Sequence, residues 1–190
     1  MSTRVIAGTA KGFRLSLVPG DSTRPITDKV KEALFNIIGF DIRDAKFLDL
    51  FGGTGAVGIE ALSRGAEYAL FTEINRNALR TIQENLEHTK LKNHADVRMI
   101  DAFELLKNPP PEAFDFIYVA PPQYKGMWLD ILKAIDDNPA WLQPHTVVIV
   151  QIDPEEQDDV LFHNLRDYDK RRYGRTLLWF FEAIQEGETE

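Results

Sequence analysis

Phe47-Leu-Asp-Leu-Phe-Gly-Gly-Thr-Gly-Ala-Val-Gly58 holds the pattern that decides the fold. A short apolar run leads into Gly53-x-Gly55-x-x-Gly58, and the spacing of a helix follows. A glycine-rich turn between strand and helix lets the backbone approach a ligand lying at the helix N-terminus. Glu73 stands twenty residues after Gly53, at the end of the next apolar run, with Ile74 beside it. A carboxylate at that place can accept hydrogen bonds from ribose hydroxyls. The context predicts a nucleoside-containing cofactor rather than glycines used for helix–sheet packing alone.

Working outward, short apolar runs alternate with helical spacing. Strands are expected at 47–51, 68–72, 97–100, 114–119 and 147–150, with a helix from the glycine turn to about Arg64 and another through Ala78, Ile82 and Leu86. Such alternation implies a parallel sheet covered by helices on both faces. The ends differ. Residues 165–173 and 176–183 flank Gly174 and read as an antiparallel hairpin added to the sheet. Residues 5–17 alternate around a Gly12 turn and read as a second hairpin, and Thr27 or Asp28 caps a helix through Val30, Leu34 and Ile38 that Gly39 ends. The expectation is an α/β, Rossmann-like single domain over 1–190. It has a mostly parallel seven-stranded sheet, a C-terminal antiparallel hairpin and a β-hairpin extension over 1–22.

The chain has 190 residues and 44% hydrophobic residues, enough for a core. It lacks cysteine, which removes disulfides, thiolate nucleophiles and cysteine zinc sites. His88, His94, His145 and His163 show no metal-ligand spacing, so no metal is expected. The first nine residues lack an apolar leader core, and no run approaches the roughly 18–20 apolar residues of a membrane span. A cytoplasmic monomer is the expectation. The net charge of −8 speaks against indiscriminate polyanion binding. Its distribution is uneven: residues 1–32 carry a local +3, which leaves −11 elsewhere, and residues 165–175 form a second basic cluster of +3. Two basic patches on an acidic body suit contact with a polyanion at one place.

Asp49 narrows the cofactor. A dinucleotide would set its pyrophosphate on the turn, where this carboxylate repels it, whereas a cationic amino group and a sulfonium suit it. That points to S-adenosyl-L-methionine, with Phe51, Gly53 and Gly55 in the turn. Asp101-Ala102, after the third strand, falls where an adenine edge can be read, or where Asp caps a helix. The other chemical signal is the strand running into Ala120-Pro-Pro-Gln-Tyr124. Two prolines remove two amide donors and leave carbonyls to accept from a planar amine, with an aromatic ring nearby to stack on its face.

Asp49-Leu-Phe-Gly-Gly-Thr-Gly55, Glu73, Asp101-Ala102 and the strand ending in Pro121-Pro122 resemble a class I S-adenosylmethionine-dependent methyltransferase acting on an exocyclic amine. Arg4-Val-Ile-Ala-Gly8, Lys11-Gly12, Thr23-Arg-Pro-Ile-Thr-Asp28, Lys31-Glu-Ala-Leu-Phe-Asn36 and Gly58-Ile-Glu-Ala-Leu-Ser-Arg-Gly65 narrow the resemblance to the RsmD family. These are bacterial methyltransferases of guanine N2 in small-subunit ribosomal RNA. The resemblance covers about residues 4–183. It implies a ribosomal RNA or assembling small-subunit partner, gripped by Arg4, Lys11, Arg14, Arg24, Lys29, Lys125, Arg171, Arg172 and Arg175. It also implies an acceptor site at Ala120, Pro121, Pro122, Gln123 and Tyr124. Here the chain departs from the family pattern of Asp or Asn, two prolines, then Phe or Tyr. Ala120 replaces the acidic residue, and the aromatic comes one place late. Losing one charge-assisted hydrogen bond costs roughly 1.5–3 kcal/mol, or one to two decades in rate. Two other classes stay open: an RNA-binding assembly protein that kept the cofactor fold, and a methyltransferase of a protein or small molecule.

Overall fold

Val5 and Leu15 are buried while Arg4 and Arg14 face solvent, an alternation that makes the N-terminal segment a hairpin. The computed structural model describes residues 3–20 and 25–184. β1 (Thr3–Arg4) and β2 (Arg14–Leu15) pair antiparallel, Thr3 opposite Leu15. Val5 N–H still donates across the hairpin to the Phe13 carbonyl at 2.9 Å, but the donors that follow go elsewhere, so the strands are shorter than the 5–17 alternation suggested. Ile6 and Ala7 N–H donate to the Glu60 carboxylate at 2.9 and 3.0 Å, and Thr9 and Ala10 N–H donate to Ser63.

The chain divides into two compact units, 1–101 and 102–190. In the first, α1 (Asp28–Ile38) starts at Thr27, whose hydroxyl accepts from Val30 N–H, and ends at Gly39. β3 (Lys46–Asp49), α2 (Ala56–Ser63), β4 (Tyr68–Thr72), α3 (Arg76–His88) and β5 (Ala95–Arg98) follow. The strands pair in parallel as β5-β4-β3, with Leu48 opposite Leu70 and Phe71 opposite Val97. β5 begins two residues earlier than its hydrophobicity indicated. It is half-exposed along its length, so its apolar residues mark its position poorly.

The second unit holds α4 (Ala102–Leu106), β6 (Phe116–Val119), α5 (Met127–Asp137), β7 (Val147–Ile152), β8 (Leu165–Tyr173) and β9 (Thr176–Ala183). β6 and β7 run parallel, and β9 lies antiparallel between β7 and β8. β7 runs two residues past the expected 147–150 because Gln151 and Ile152 continue the ladder with Leu178 and Leu177. β9 is almost wholly buried. β8 is mostly exposed and rich in charge, which blunts an open sheet edge against pairing with another chain. Strands β3 to β9 form one seven-stranded sheet in the order β5-β4-β3-β6-β7-β9-β8. The α/β architecture, the mostly parallel sheet and the C-terminal antiparallel hairpin are those expected. No helix among the described residues is long and apolar enough to cross a membrane.

Candidate cofactor and acceptor sites

In the first unit, Asp49, Gly53 and Glu73 come together at the carboxyl ends of β3 and β4. Asp49 is 1% exposed. Its carboxylate accepts backbone N–H bonds from Phe51 and Gly58, but Oδ1 has no partner. Burial pushes its pKa up to about 7, against those two bonds. An unpaired buried carboxylate oxygen is costly unless a donor reaches it. Gly53 N–H donates to Glu73 Oε2 at 3.0 Å, tying the turn to the next strand. Glu73 Oε1 accepts from Ile74 and Asn75 N–H, both at 2.9 Å. A carboxylate offers about four lone-pair sites, so capacity remains for a further donor.

The glycines divide by role. A Cβ on Gly58 would lie 2.3 Å from the Phe71 ring, so this glycine lets α2 pack on β4. Gly53 has φ +57° and would meet nothing nearer than the Phe51 carbonyl at 3.9 Å. Its need is conformational, and the space beside it is open. Behind the turn, Asn85 of α3 donates to the Thr54 carbonyl at 2.9 Å while exchanging bonds with the Ser16 backbone. Open space at Gly53 beside an orphaned anionic oxygen fits a ligand bearing a cationic nitrogen, and S-adenosylmethionine is such a ligand. Ile74 is 62% exposed just past Glu73. Asp101, the last residue of this unit, follows β5 by three residues.

In the second unit, Ala102 opens α4 and is buried. Ala120 is half-buried and Pro121 buried just past β6, whereas Pro122, Gln123, Tyr124 and Lys125 are exposed. Tyr124 has φ +60°, which non-glycine residues rarely adopt. Its backbone N–H donates to Glu156 Oε1 at 2.8 Å and its hydroxyl to Asp153 Oδ2 at 2.7 Å. Arg175 donates to both members of that pair, at 2.8 Å to the Tyr124 hydroxyl and 3.2 Å to Asp153. The Tyr124 hydroxyl bond holds the Asp153 carboxyl below the usual carboxylate range, and the Asp153 acceptor raises the Tyr124 phenol.

The basic residues fall into two kinds. Arg4 pairs with Asp28 at 3.3 Å, Arg171 with Asp169 at 3.0 Å, and Arg172 donates to the Gly174 carbonyl. Lys11, Arg14, Lys29 and Lys125 are exposed and make no ion pair with a described residue. Arg24 lies outside the described residues. Among the described residues no group of three or more His, Cys, Asp or Glu could hold a metal.

Sequence reading missed two polar clusters. One is Asp153 with Glu156, which cap a short turn reciprocally. Asp-Pro-Glu-Glu after a strand is the signature of such a capping box, so a signal was present. The other is Glu60, fully buried on α2 with Lys31, which is equally buried, at 3.7 Å and Arg64 at 2.8 Å. Burial lowers the Lys31 pKa in spite of Glu60. Nothing in helical periodicity announces a charge turned inward.

A family model described as Conserved hypothetical protein 95 matches residues 3–182. YlbH of Bacillus subtilis (strain 168), whose name describes it as a candidate rRNA methyltransferase, is 38% identical over 175 residues, covering 91% of this chain and 95% of its own. Ribosomal RNA small subunit methyltransferase D of Escherichia coli (strain K12) is 29% identical over 187 residues, covering 98% and 93%. The solved structure of yhhF from Escherichia coli superposes with a TM-score of 0.85 at 29% identity, over 96% of this chain and 98% of that one.

Proposed function

The chain belongs to the Conserved hypothetical protein 95 family, the RsmD family, and on that premise we propose that it is a methyltransferase of small-subunit ribosomal RNA using S-adenosyl-L-methionine. The target is the exocyclic N2 amine of a guanine. The observation that carries the reading is the unpaired Asp49 Oδ1 beside the open turn at Gly53. Asp49 would face the amino group of the cofactor, Glu73 its ribose, and Ile74 and Asp101-Ala102 its adenine. When bound, the cofactor supplies an electrophilic methyl group on a sulfonium.

The residues of this chain then have two tasks. Transfer to an exocyclic amine is an in-line displacement that needs a positioned lone pair more than a strong base, and positioning alone can supply much of the barrier reduction. The Pro121 carbonyl and the Gln123 amide oxygen accept the amine hydrogens in place of the carboxylate that Ala120 lacks. Tyr124 supplies a ring against which an extruded base can stack. Lys11, Arg14, Lys29 and Lys125, exposed and unpaired among the described residues, offer cations to phosphates. The already paired Arg4 and Arg171 would have to exchange partners to do so.

Tritium transfer from the cofactor to undermethylated small-subunit RNA and to assembled subunits tests the proposal, with wild type compared against Ala120→Asp. Labelled guanine from wild type is expected, with the Asp variant faster by about one to two decades. A specific observation, the missing side-chain acceptor at Ala120, favours a second reading as an RNA-binding assembly factor. Silence from wild type with labelling by the Asp variant would mark a degenerate enzyme, and silence from both would favour the assembly-factor reading or another substrate. Binding of neither the cofactor nor its demethylated product in calorimetry overturns the methyltransferase reading.

A further inference from the structure

Tyr124 is an exposed aromatic residue held as firmly as a buried one. The residue is 56% exposed. Yet its hydroxyl donates to Asp153, accepts from Arg175, and its backbone N–H is bound by Glu156. Asp153 is the anchor: its side chain is 4% exposed at the end of β7, with Oδ1 accepting Glu155 N–H at 3.1 Å and Oδ2 shared between Tyr124 and Arg175. Arg175 reaches in from the turn between β8 and β9. Three elements of the second unit thus converge on one side chain whose backbone sits in an unfavourable conformation.

Such a network stores strain in order to fix one group, and strain of this kind clusters where geometry serves a function. An exposed tyrosine that served only solubility would need none of it. A ring fixed at its hydroxyl end and at its backbone, on a residue that stays more than half exposed, can serve as a stacking platform that loses little rotamer freedom when a planar group arrives. The arrangement also accounts for the late aromatic. The left-handed φ at position 124 sets the ring of a residue one place beyond the family position, and the bonds from Asp153, Glu156 and Arg175 keep it there.

We propose that Asp153 and Arg175 are positioning residues that hold Tyr124 as a preformed stacking ring for the acceptor base, supporting from outside the acceptor loop what Ala120 and Gln123 no longer secure within it. The proposal rests on the RNA methyltransferase reading above. Two readouts test it. The first needs no activity. In protein labelled with 13C-tyrosine, the Tyr124 signal, identified by its loss in Tyr124→Phe, is expected to stand displaced from the free-tyrosine position at pH 8. In Asp153→Asn it is expected to collapse toward the free-tyrosine position. The second is kcat/KM and Kd for undermethylated small-subunit RNA. Tyr124→Ala is expected to weaken RNA affinity about 5- to 150-fold, the effect of removing one base-stacking ring. Tyr124→Phe and Asp153→Asn each give a smaller loss, and the double variant loses no more than the worse single one, because both remove the same bond. Affinity for S-adenosylhomocysteine stays within two-fold throughout. An active wild type whose Tyr124→Ala variant binds and methylates RNA unchanged overturns the positioning role alone. So do additive losses in the double variant, or an unmoved tyrosine signal in Asp153→Asn. A wild type silent on every RNA, with no RNA binding, overturns this proposal together with the proposed function.

Discussion

Replacing Asp49 by Asn removes one charge and touches little else, since the two side chains have nearly the same shape. In wild type the burial of Asp49 raises its pKa from 3.8 to about 7. The native state therefore binds more protons than the unfolded chain between about pH 4 and pH 7. Stability falls as pH rises through that window and levels off above 7. At 1.36 kcal/mol per pKa unit, the Asp49 contribution to stability drops by about 2–4 kcal/mol between pH 5 and pH 8. Urea unfolding of the ligand-free protein at the two pH values measures it, and Asp49→Asn is expected to abolish that part of the slope. The same carboxylate sets the pH dependence of cofactor binding. A ligand that brings a cation to Oδ1 binds the ionised form, which is only about 1% of the protein at pH 5. Calorimetry with S-adenosylhomocysteine is therefore expected to give an affinity about 100-fold weaker at pH 5 than at pH 8. The Asn variant should bind weakly at both. A wild-type affinity that is flat from pH 5 to pH 8, or an Asn variant that binds as tightly as wild type at pH 8, would refute the assignment of Asp49 to the amino group.

Glu60→Gln leaves Lys31 buried beside a neutral partner, a change that typically costs about 3–5 kcal/mol, and denaturant unfolding at pH 7 should show it. Conversion of Gly8 to Ala would put a Cβ 1.7 Å from the Ser63 carbonyl at a φ of +86°. A loss of about 2–5 kcal/mol from overpacking and backbone strain is expected, read as a lower thermal midpoint. Lys11→Gln, with an exposed side chain and no ion pair to a described residue, should flatten the salt dependence of log K for RNA by about 0.7–0.9 and leave the fold unchanged.

The sheet was legible because its apolar runs are short, fully buried and separated by good caps. Tyr68–Thr72 and the hairpin Leu165–Tyr173 with Thr176–Ala183 have the bounds that alternation and Gly174 suggest. β5 slipped by two residues because a half-exposed edge strand has no strong pattern to anchor it. In the candidate site, Asp49, Gly53 and Glu73 were readable from spacing, since the strand–turn–helix geometry places them with few alternatives. The links from Tyr124 to Asp153, 29 residues away, and to Arg175, 51 residues away, were not readable. Nothing joins the three residues until the antiparallel ladder of β7 and β9 closes, and strand pairing of that kind depends on register, which a single sequence does not carry. Arg175 accordingly reads as one more phosphate ligand in the sequence and as a tether in the structure.

The docking of the N-terminal hairpin on α2 has a consequence for how the chain is made. Ile6, Ala7 and Ala10 bind residues 53–54 positions later, and Ser16 binds Asn85, 69 positions on. At a synthesis rate of roughly 5–20 residues per second, these residues wait roughly 3–14 s for their partners to be made. α2 meanwhile emerges with Glu60 and Ser63 needing a cover that is already waiting. The hairpin therefore settles only after α2 has been made, and its capture converts a contact of long sequence separation into a check that residues 56–63 have formed their helix.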